Sequence, residues 1–379
     1  MTKVMPSTEI TSTRVSSGGL TADYRVLVGN GLLASLPDLL SEHVPAHRYA
    51  LITDSNVGEL YADTLLATLR AGGHTVDLFT FPAGERHKTR AHWATLTDGM
   101  LDKGYGRDSY VIALGGGVVG DLAGFVAATY MRGVPVVQVP TSLVAMIDAS
   151  IGGKTGTDVE QGKNLVGAFH APSLVVADPE VTQTLPRIER AQGLVEAVKH
   201  GAIMDRPYLE QLELDMPALL DGDVEAVRRA VTRSVELKAW VVSADERESG
   251  RREILNFGHT LGHGVEAASD YGVSHGSAVA VGMFLEARLG EEMGVTENGV
   301  ADDLARIAGT LEIDLELPDG AAPNEIMSYL GLDKKARLGR PRFVLLSHIG
   351  KVHHADGSWS QSVDGDLVRD VLNAMALKG

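Results

Sequence analysis

The chain contains no cysteine among its 379 residues. This absence excludes disulfide bonds, a thiolate nucleophile and thiolate metal ligands. Any metal ion would therefore have to be bound by histidine, aspartate or glutamate side chains.

Positive charge is also scarce, since 34 lysine and arginine residues stand against 50 aspartate and glutamate residues, for a net charge of −16. A nucleic-acid partner is not expected, because binding to nucleic acid needs a basic face. An anionic small molecule is compatible with this charge, because a few lysines can make a local positive pocket.

Long apolar runs are missing as well. The longest candidate, residues 110–130, is interrupted by Gly115–Gly117 and Asp121, and no uncharged apolar stretch reaches the roughly 18 residues that a membrane span needs. The first ten residues are polar and lack the apolar centre of a signal peptide. We therefore expect a cytoplasmic protein without a membrane partner.

The apolar pattern divides the chain into two halves, and a chain of this length fits two domains of roughly 150–200 residues each. Up to about residue 185, short β-like runs alternate with helical segments, which predicts a largely parallel sheet with covering helices. After residue 186, long amphipathic segments predict a mostly helical domain. The predicted strands cover residues 24–28, 49–53, 75–81, 110–114, 135–139, 174–177 and 343–346. The predicted helices cover residues 59–71, 88–103, 189–204, 224–246, 254–268, 277–293 and 299–311.

A glycine-rich turn follows the fourth predicted strand. Residues 115–121 read Gly-Gly-Gly-Val-Val-Gly-Asp, and glycines at a strand–helix turn let backbone N–H groups approach a pyrophosphate. A purely structural tight turn is the alternative, because the spacing differs from GxGxxG. Asp54 follows the second predicted strand, where an acid can accept hydrogen bonds from ribose hydroxyls. A helix N-cap at Ser55 or Asn56 is an equally good interpretation of that segment.

Two lysines lie in glycine-rich segments that we expect to be loops. Lys154 follows Gly152 and Gly153, and Lys163 follows Gly162. Such lysines suit phosphate or carboxylate groups, although ordinary loop lysines are the alternative. A P-loop is excluded, because an aspartate occupies residue 148, where that motif requires a glycine.

Histidines are concentrated in one segment. His259 and His263 are four residues apart, which puts both imidazoles on one face of a helix, and His275 follows within a short loop's reach. Glu196 and His200 have the same spacing upstream. These residues suggest a metal site, but they exceed the three protein ligands and one open position of a catalytic zinc site. Spacing alone does not choose among them.

Taken in order, these motifs resemble the 3-dehydroquinate synthases, a family of sugar-phosphate cyclases. The resemblance runs from about residue 54 to residue 350, which is most of the chain. The motifs that carry it are residues 115–121, Val139-Pro-Thr141-Ser142, Asp148 with Gly-Gly-Lys154-Thr, Gly-Lys163-Asn164 with Gly167-Ala-Phe169, Glu196 with Lys199, Asn256 with Gly-His259-Thr-Leu-Gly-His263, and His275-Gly.

The resemblance implies a Rossmann-like α/β domain over residues 1–185 and a mostly α-helical domain over residues 186–379 that binds metal and substrate. It implies that Zn²⁺ or Co²⁺ is bound by Glu196, His259 and His275, whereas His263 handles protons on the substrate side and His200 is not a ligand. It also implies that NAD is bound by residues of the first domain. These are Asp54, Asn56, Glu85, Lys88, Gly116, Gly117, Val118, Val119, Gly120, Asp121, Thr141, Ser142, Lys154, Lys163, Val181, Thr182, Gln183 and Thr184.

The same resemblance implies a set of polar and charged residues around an anionic sugar phosphate. The implied substrate-binding residues are Arg132, Asp148, Lys154, Asn164, Lys199, Lys238, Arg252, Asn256, Lys334 and Lys335. The implied catalytic residues are Lys154, Lys199, Lys238, Glu248, Arg252, Asn256 and His263.

The implied reaction converts 3-deoxy-arabino-heptulosonate 7-phosphate to 3-dehydroquinate and phosphate. NAD would oxidise a ring hydroxyl transiently, phosphate would leave by elimination, and the hydride would return. Ring opening and an intramolecular aldol reaction would then close the carbocycle. A place in the shikimate pathway and a homodimer are implied as well.

Two departures from the family pattern leave alternatives. Ser277 stands where the family usually has glutamate, and Gly156-Thr-Asp158 stands where it commonly has Gly-Val-Asn. These differences suggest a specialised relative, such as an aminodehydroquinate synthase or another sugar-phosphate cyclase of secondary metabolism. The alternative of another class is an NAD- and metal-dependent polyol or alcohol dehydrogenase, which would accumulate NADH instead of releasing phosphate.

Overall fold

A computed structural model describes residues 9–16, 23–270, 272–318, 320–330 and 341–377. The chain divides into two compact units. The first is Met1–Leu185 with Gly222–Glu246, and the second is Pro186–Asp221 with Arg247–Gly379. The sequence placed a single boundary after residue 185, whereas the chain returns to the first unit for one further helical segment.

The first segment of the chain alternates strands and helices. In chain order these are β1 (Thr11–Val15), β2 (Tyr24–Val28), α1 (Leu36–His43), β3 (Arg48–Asp54), α2 (Ser55–Val57), α3 (Asp63–Ala71), β4 (Val76–Phe81), α4 (Arg90–Asp102), β5 (Ser109–Gly115), α5 (Gly117–Thr129), β6 (Val136–Pro140), β7 (Lys154–Val159), β8 (Gly162–Phe169) and β9 (Leu174–Ala177). Short 3₁₀ or π-helical turns cover Gly58–Ala62, Glu85–His87, Tyr130–Arg132, Ala145–Ala149 and Pro179–Thr184.

Helices dominate the rest of the chain. In chain order these elements are α6 (Arg187–Met204), α7 (Arg206–Asp221), α8 (Val224–Ala244), a 3₁₀ turn (Arg251–Asn256), α9 (His259–Ala268), α10 (His275–Glu292), α11 (Val300–Thr310), α12 (Pro323–Leu330), β10 (Leu346–His348), β11 (Lys351–Val352) and α13 (Gly365–Ala376). Helix α8 belongs to the first unit, and the others belong to the second.

A seven-stranded sheet with the order β1-β2-β9-β6-β5-β3-β4 forms the centre of the first unit. All pairings are parallel except β1 with β2. Leucines of α1 and α3 pack in one core cluster with β3 and β5 side chains, and residues of α4 and α5 pack in another. Burial on both faces explains why these strands are nearly continuous apolar runs. The predicted parallel sheet with covering helices is thus confirmed.

Two strands lie where loops were expected. The glycine-rich segments around Lys154 and Lys163 form the antiparallel hairpin β7–β8, with Gly156 paired to Gly167. A Cβ atom on Gly167 would lie 2.1 Å from the carbonyl oxygen of Thr155. The loop prediction was wrong because these glycines permit close approach of two strands, a use that composition alone does not separate from a turn.

In the second unit, α9 and α10 pack closely. A Cβ atom on Gly282 would lie 1.9 Å from the carbonyl oxygen of Gly258, so only glycine allows this contact. Apolar residues such as Leu261, Val281 and Ile326 form the adjoining core with α12 and α13. The close approach brings the first residues of α9 and α10 into one region. Across the described residues, no helix combines the length and apolarity required to span a bilayer.

Candidate active site

Three predicted metal ligands meet in the second unit. Glu196 lies in α6, while His259 and His275 are the first residues of α9 and α10. One donor atom from each residue lies within 4.8 Å of the other two. The Nε2 atoms of His259 and His275 are 3.8 Å and 3.6 Å from the same atom, Oε1 of Glu196.

Each imidazole ring is oriented by an acceptor at its other nitrogen, Nδ1. Nδ1 of His259 lies 3.2 Å from the carbonyl oxygen of Phe257, and Nδ1 of His275 lies 3.4 Å from Oε2 of Glu266. An acceptor at Nδ1 favours the tautomer that carries its proton there and leaves a lone pair on Nε2. Metal-binding histidines in proteins almost always have such an acceptor.

The second oxygen of Glu196 is held by Lys199. The Lys199 ammonium forms an ion pair with Oε2, and both side chains are 1% exposed. The carboxylate is thereby fixed, with Oε1 facing the two histidines.

The electrostatics of this cluster favour positive charge. Burial lowers the pKa of His275, but hydrogen bonds to Glu196 and Glu266 outweigh burial and raise that pKa to about 9. The same carboxylates would attract a divalent cation. One carboxylate and two imidazoles, with no thiolate, are a ligand set that suits Zn²⁺ or Co²⁺. The residues present therefore fit the implied metal.

His263 stands beside this group. Its ring centroid is 5.4 Å from that of His259 and 6.2 Å from that of His275. His263, Glu266 and His275 also have donor atoms within 4.8 Å of one another. However, Glu266 faces Nδ1 of His275, whereas Glu196 faces Nε2. Glu266 therefore fits the orienting acceptor better than it fits a ligand.

The predicted pyrophosphate turn lies between β5 and α5 in the first unit. Gly116 is the N-cap of α5 and has no side chain to occupy the backbone N–H groups of the first turn. Gly115 has a packing role, because a Cβ atom there would lie 2.4 Å from Cγ2 of Val119. Strands β3, β5 and β6 are parallel neighbours. Asp54 ends β3, this turn follows β5 and Thr141 follows β6, so all three lie at the carboxyl edge of the sheet. Dinucleotides bind at this edge in doubly wound folds.

Asp54 is itself a helix N-cap. Its Oδ1 accepts hydrogen bonds from the backbone N–H groups of Asn56 and Val57, both at 2.9 Å. The N-cap interpretation had named Ser55 or Asn56, so the structure corrects the residue. Both bonds use the same carboxylate oxygen.

An ion cluster joins three predicted cofactor-binding residues. Nζ of Lys88 lies 2.5 Å from Glu85, 3.3 Å from Asp121 and 3.7 Å from Asp158. Burial alone would lower the pKa of Lys88, but the carboxylates of Asp121, Glu85 and Asp158 raise it. Lys88 is 2% exposed and stays charged. Asp158 was not predicted as a site residue.

Two family models match most of the chain. Residues 78–192 match the model described as "3-dehydroquinate synthase N-terminal", and residues 193–336 match the model described as "3-dehydroquinate synthase C-terminal". The 3-dehydroquinate synthase of Symbiobacterium thermophilum is 47% identical over 331 residues, which are 87% of this chain and 92% of that protein. The chain belongs to the 3-dehydroquinate synthase family.

Solved structures of related synthases share the fold. One is 2-deoxy-scyllo-inosose synthase complexed with carbaglucose-6-phosphate, NAD⁺ and Co²⁺, with a TM-score of 0.89 and 25% identity over 96% of this chain and 100% of that chain. Another is ValA, a 2-epi-5-epi-valiolone synthase from Streptomyces hygroscopicus with NAD⁺ and Zn²⁺ bound. Its TM-score is 0.86 at 28% identity, over 97% of this chain and 100% of that chain.

Substrate-binding residues predicted from the synthase family are distributed over both units. In the first unit, Nζ of Lys238 lies 2.6 Å from Oδ1 of Asp148, and Lys238 is buried. Lys154 at the start of β7, Asn164 in β8 and Arg132 are exposed. Asn164 and Arg132 have φ angles of 54° and 70°, in the left-handed region.

In the second unit, two of the predicted residues around the 3₁₀ turn contact each other. Nδ2 of Asn256 donates a hydrogen bond to Oε1 of Glu248 at 2.6 Å. Arg252 is buried. Lys334 and Lys335 lie outside the described residues.

The remaining predicted NAD-binding residues differ in exposure. Val181 and Thr182 are buried in a 3₁₀ turn, whereas Gln183 and Thr184 are exposed. The Thr184 hydroxyl lies 2.7 Å from that of Tyr61. Lys163 is partly exposed in β8, and Ser142 is partly exposed after β6.

Sequence reasoning missed residues that orient the predicted ones. Glu266 follows His263 by three residues in α9, so helical spacing placed it on the histidine face and was a usable signal. Asp158 stood out only as part of a departure from the family pattern, because its place beside Lys88 depends on the hairpin. Glu286 of α10 accepts hydrogen bonds from the backbone N–H groups of Gly258 and Thr260 at 2.8 Å and 3.1 Å. It thereby caps α9 from another helix.

Proposed function

We propose that this chain converts 3-deoxy-arabino-heptulosonate 7-phosphate to 3-dehydroquinate and phosphate. The observation that carries the proposal is the convergence of the Nε2 atoms of His259 and His275 on Oε1 of Glu196, in a chain of the 3-dehydroquinate synthase family. This arrangement provides three protein donors and leaves further coordination positions for a substrate oxygen.

Glu196, His259 and His275 would hold Zn²⁺ or Co²⁺. When bound, the metal would act as a Lewis acid toward a substrate hydroxyl, and NAD would accept a hydride and return it. Lys199 fixes Glu196 through its contact with Oε2. Phe257 and Glu266 keep the two imidazoles in the tautomer that can bind.

NAD would occupy the carboxyl edge of the parallel sheet. The turn before α5 would offer backbone N–H groups to the pyrophosphate, and Asp54 would accept hydrogen bonds from a ribose. The ion cluster of Glu85, Lys88 and Asp121 would stabilise the neighbouring segments. The other residues proposed for this site are Asn56, Thr141, Ser142, Lys154, Lys163 and residues 181–184.

Cationic residues would bind the two anionic groups of the substrate. The phosphate and carboxylate need donors in a fixed geometry, which orients the substrate and stabilises developing charge. Lys154, Lys199, Lys238, Arg132 and Arg252 are the proposed donors. Asp148 orients Lys238, and Glu248 orients Asn256 in the same way. His263 would hold or transfer a proton at its imidazole beside the metal-binding histidines.

Further assignments follow from family likeness and are part of this proposal. They are a place in the shikimate pathway, a cytoplasmic location and a homodimer. A second candidate function is that of an aminodehydroquinate synthase. The sequence feature behind it is the departure from the family pattern at Ser277 and at Gly156-Thr-Asp158.

Phosphate release tests the proposal. The purified protein with NAD and Co²⁺ should release phosphate from the heptulosonate phosphate without net formation of NADH. A parallel assay with the amino-substituted analogue separates the two synthases by kcat/KM. Accumulation of NADH in step with substrate loss, and no phosphate, would show a dehydrogenase instead.

A further inference from the structure

The first turn of α10, which begins with His275, is capped by a side chain of another helix. Oε1 of Gln192 in α6 accepts hydrogen bonds from the backbone N–H of Ser277 at 2.7 Å and from the hydroxyl of Ser274 at 2.6 Å. Nε2 of Gln192 donates to the hydroxyl of Ser277 at 2.9 Å. Gln192 is 7% exposed, so it is buried within the second unit.

This arrangement replaces the usual cap of an α-helix. In a capping box, the N-cap serine accepts from the N–H of the third helical residue, and a glutamate at that third position reaches back to the N-cap. Ser274 is the N-cap of α10, yet its side chain makes no cap hydrogen bond within the helix. The third position is Ser277, where the family pattern usually has glutamate. Oε1 of Gln192 therefore takes from α6 the acceptor role that the Ser274 hydroxyl has in a capping box.

The cap links the positions of two proposed metal ligands, Glu196 and His275. Gln192 and Glu196 are four residues apart in α6, so they lie on one face of that helix. Ser274 and Ser277 flank His275, which makes its contact to Glu196 over 3.6 Å. A single face of α6 thus supplies one ligand and fixes the backbone that carries another.

We propose that Gln192 is a positioning residue for His275, and that Gln192 and Ser277 are a matched pair that replaces a capping box within α10. The inference rests on the metal centre proposed above. It accounts for the departure at Ser277 by a compensating residue on another helix.

The space around the cap makes the two residues interdependent. A Cβ atom on Gly276 would lie 2.5 Å from both the carbonyl oxygen and Oε1 of Gln192. The Gln192 side chain therefore fills the volume beside residues 275–277. A glutamate at position 277 would compete with it for that volume, so S277E alone should be unfavourable, and S277E combined with Q192A should be accommodated.

The test uses the full chain and Co²⁺ as the probe. We expect Q192M, which keeps most of the side-chain volume but has no amide, to raise the Co²⁺ dissociation constant about 10- to 100-fold, as loss of outer-shell partners does. The visible absorption spectrum of bound Co²⁺ should change as well. Q192A should show the same loss. The double variant Q192A/S277E should recover most of the affinity and the spectrum, whereas S277E alone should not bind better than Q192M.

A matched control separates positioning from general stability. Thr296 in the same unit donates a buried hydrogen bond to the carbonyl oxygen of Leu346 at 2.6 Å, and T296V removes it without touching the histidines. T296V should lower Tm as Q192M does but leave the Co²⁺ dissociation constant and spectrum unchanged.

If the wild type binds Co²⁺ and Q192M or Q192A binds it equally well, the inference is wrong. It is equally wrong if T296V weakens Co²⁺ binding as much as Q192M, or if the double variant recovers nothing. If the wild type binds no Co²⁺, the proposed metal centre itself fails, and this inference fails with it.

Discussion

Glu196 and Lys199 form an ion pair within one turn of α6, and each side chain is 1% exposed. Removing one member of such a pair leaves the other charge out of water, which costs more than the pair itself contributes. The pair also gives the two carboxylate oxygens different tasks, because Oε2 contacts Lys199 while Oε1 faces two imidazoles.

The variant K199M should therefore destabilise the metal-free protein strongly. We expect its free energy of unfolding to fall by about 3–5 kcal/mol, the usual cost of breaking a buried pair. Added Co²⁺ should restore part of this loss, because a cation at the same carboxylate replaces the missing positive charge. Urea denaturation with and without Co²⁺ measures both effects. The exposed Lys351 provides a control, since K351M should change stability by no more than about 0.5 kcal/mol. Equal stability of the two variants would contradict the prediction.

The variant H275A should lose metal-dependent turnover but keep NAD binding. It removes one of three donors, whereas the residues proposed for NAD belong to the first unit. Metal content, phosphate release and NAD titration are the three measurements. His47, whose side chain is 71% exposed, is a control because H47A should leave all three unchanged. Full activity of H275A, or of the wild type after chelation, would show that the reaction does not need the metal.

The parallel sheet could be predicted because its signal is local. Strands buried on both faces require apolar residues at successive positions, as in Ser109–Gly115, and their short length between turn residues separates them from buried helices. The hairpin β7–β8 could not be predicted, because its glycines serve a contact between Gly156 and Gly167 that lies outside each local segment.

The histidine spacing predicted a cluster but not the roles within it. His259 and His263 are both near His275, and helical periodicity treats them alike. What separates them is the direction of each ring, which Phe257 sets for His259. The predicted helix 254–268 also began too early, because Gly258 has a φ of 78° and α9 starts at His259. Caps supplied by other helices, such as Glu286 to α9, leave no local pattern to detect.

The variant K154A should affect the anionic substrate more than NAD. Lys154 is exposed at the start of β7, and loss of a hydrogen bond to a charged group costs about 1.5–3 kcal/mol. We therefore expect kcat/KM for the heptulosonate phosphate to fall roughly 10- to 150-fold, the same energy expressed as a ratio. The dissociation constant of NAD should change less. Steady-state phosphate release and NAD titration measure the two effects, with K351A as the charge-matched control. An unchanged KM and kcat would rule out the substrate role.

The partly buried carboxyl group of Asp121 should make stability depend on pH. Burial raises its pKa, Lys88 lowers it, and Glu85 and Asp158 raise it, with a net value of about 6 against an ordinary 3.8. As the pH rises from about 4 to about 6, the unfolded chain loses this proton before the folded protein does. The contribution of Asp121 to the free energy of unfolding therefore decreases over this interval. In D121N that contribution is absent. The difference in free energy of unfolding, D121N minus wild type, should become more positive over this interval by an amount on the order of 2 kcal/mol. Denaturation of the NAD-free proteins between pH 4 and 7 measures it, with D98N at an exposed position of α4 as a control. A difference that stays constant across this range, or one that D98N reproduces, would show that Asp121 does not titrate there.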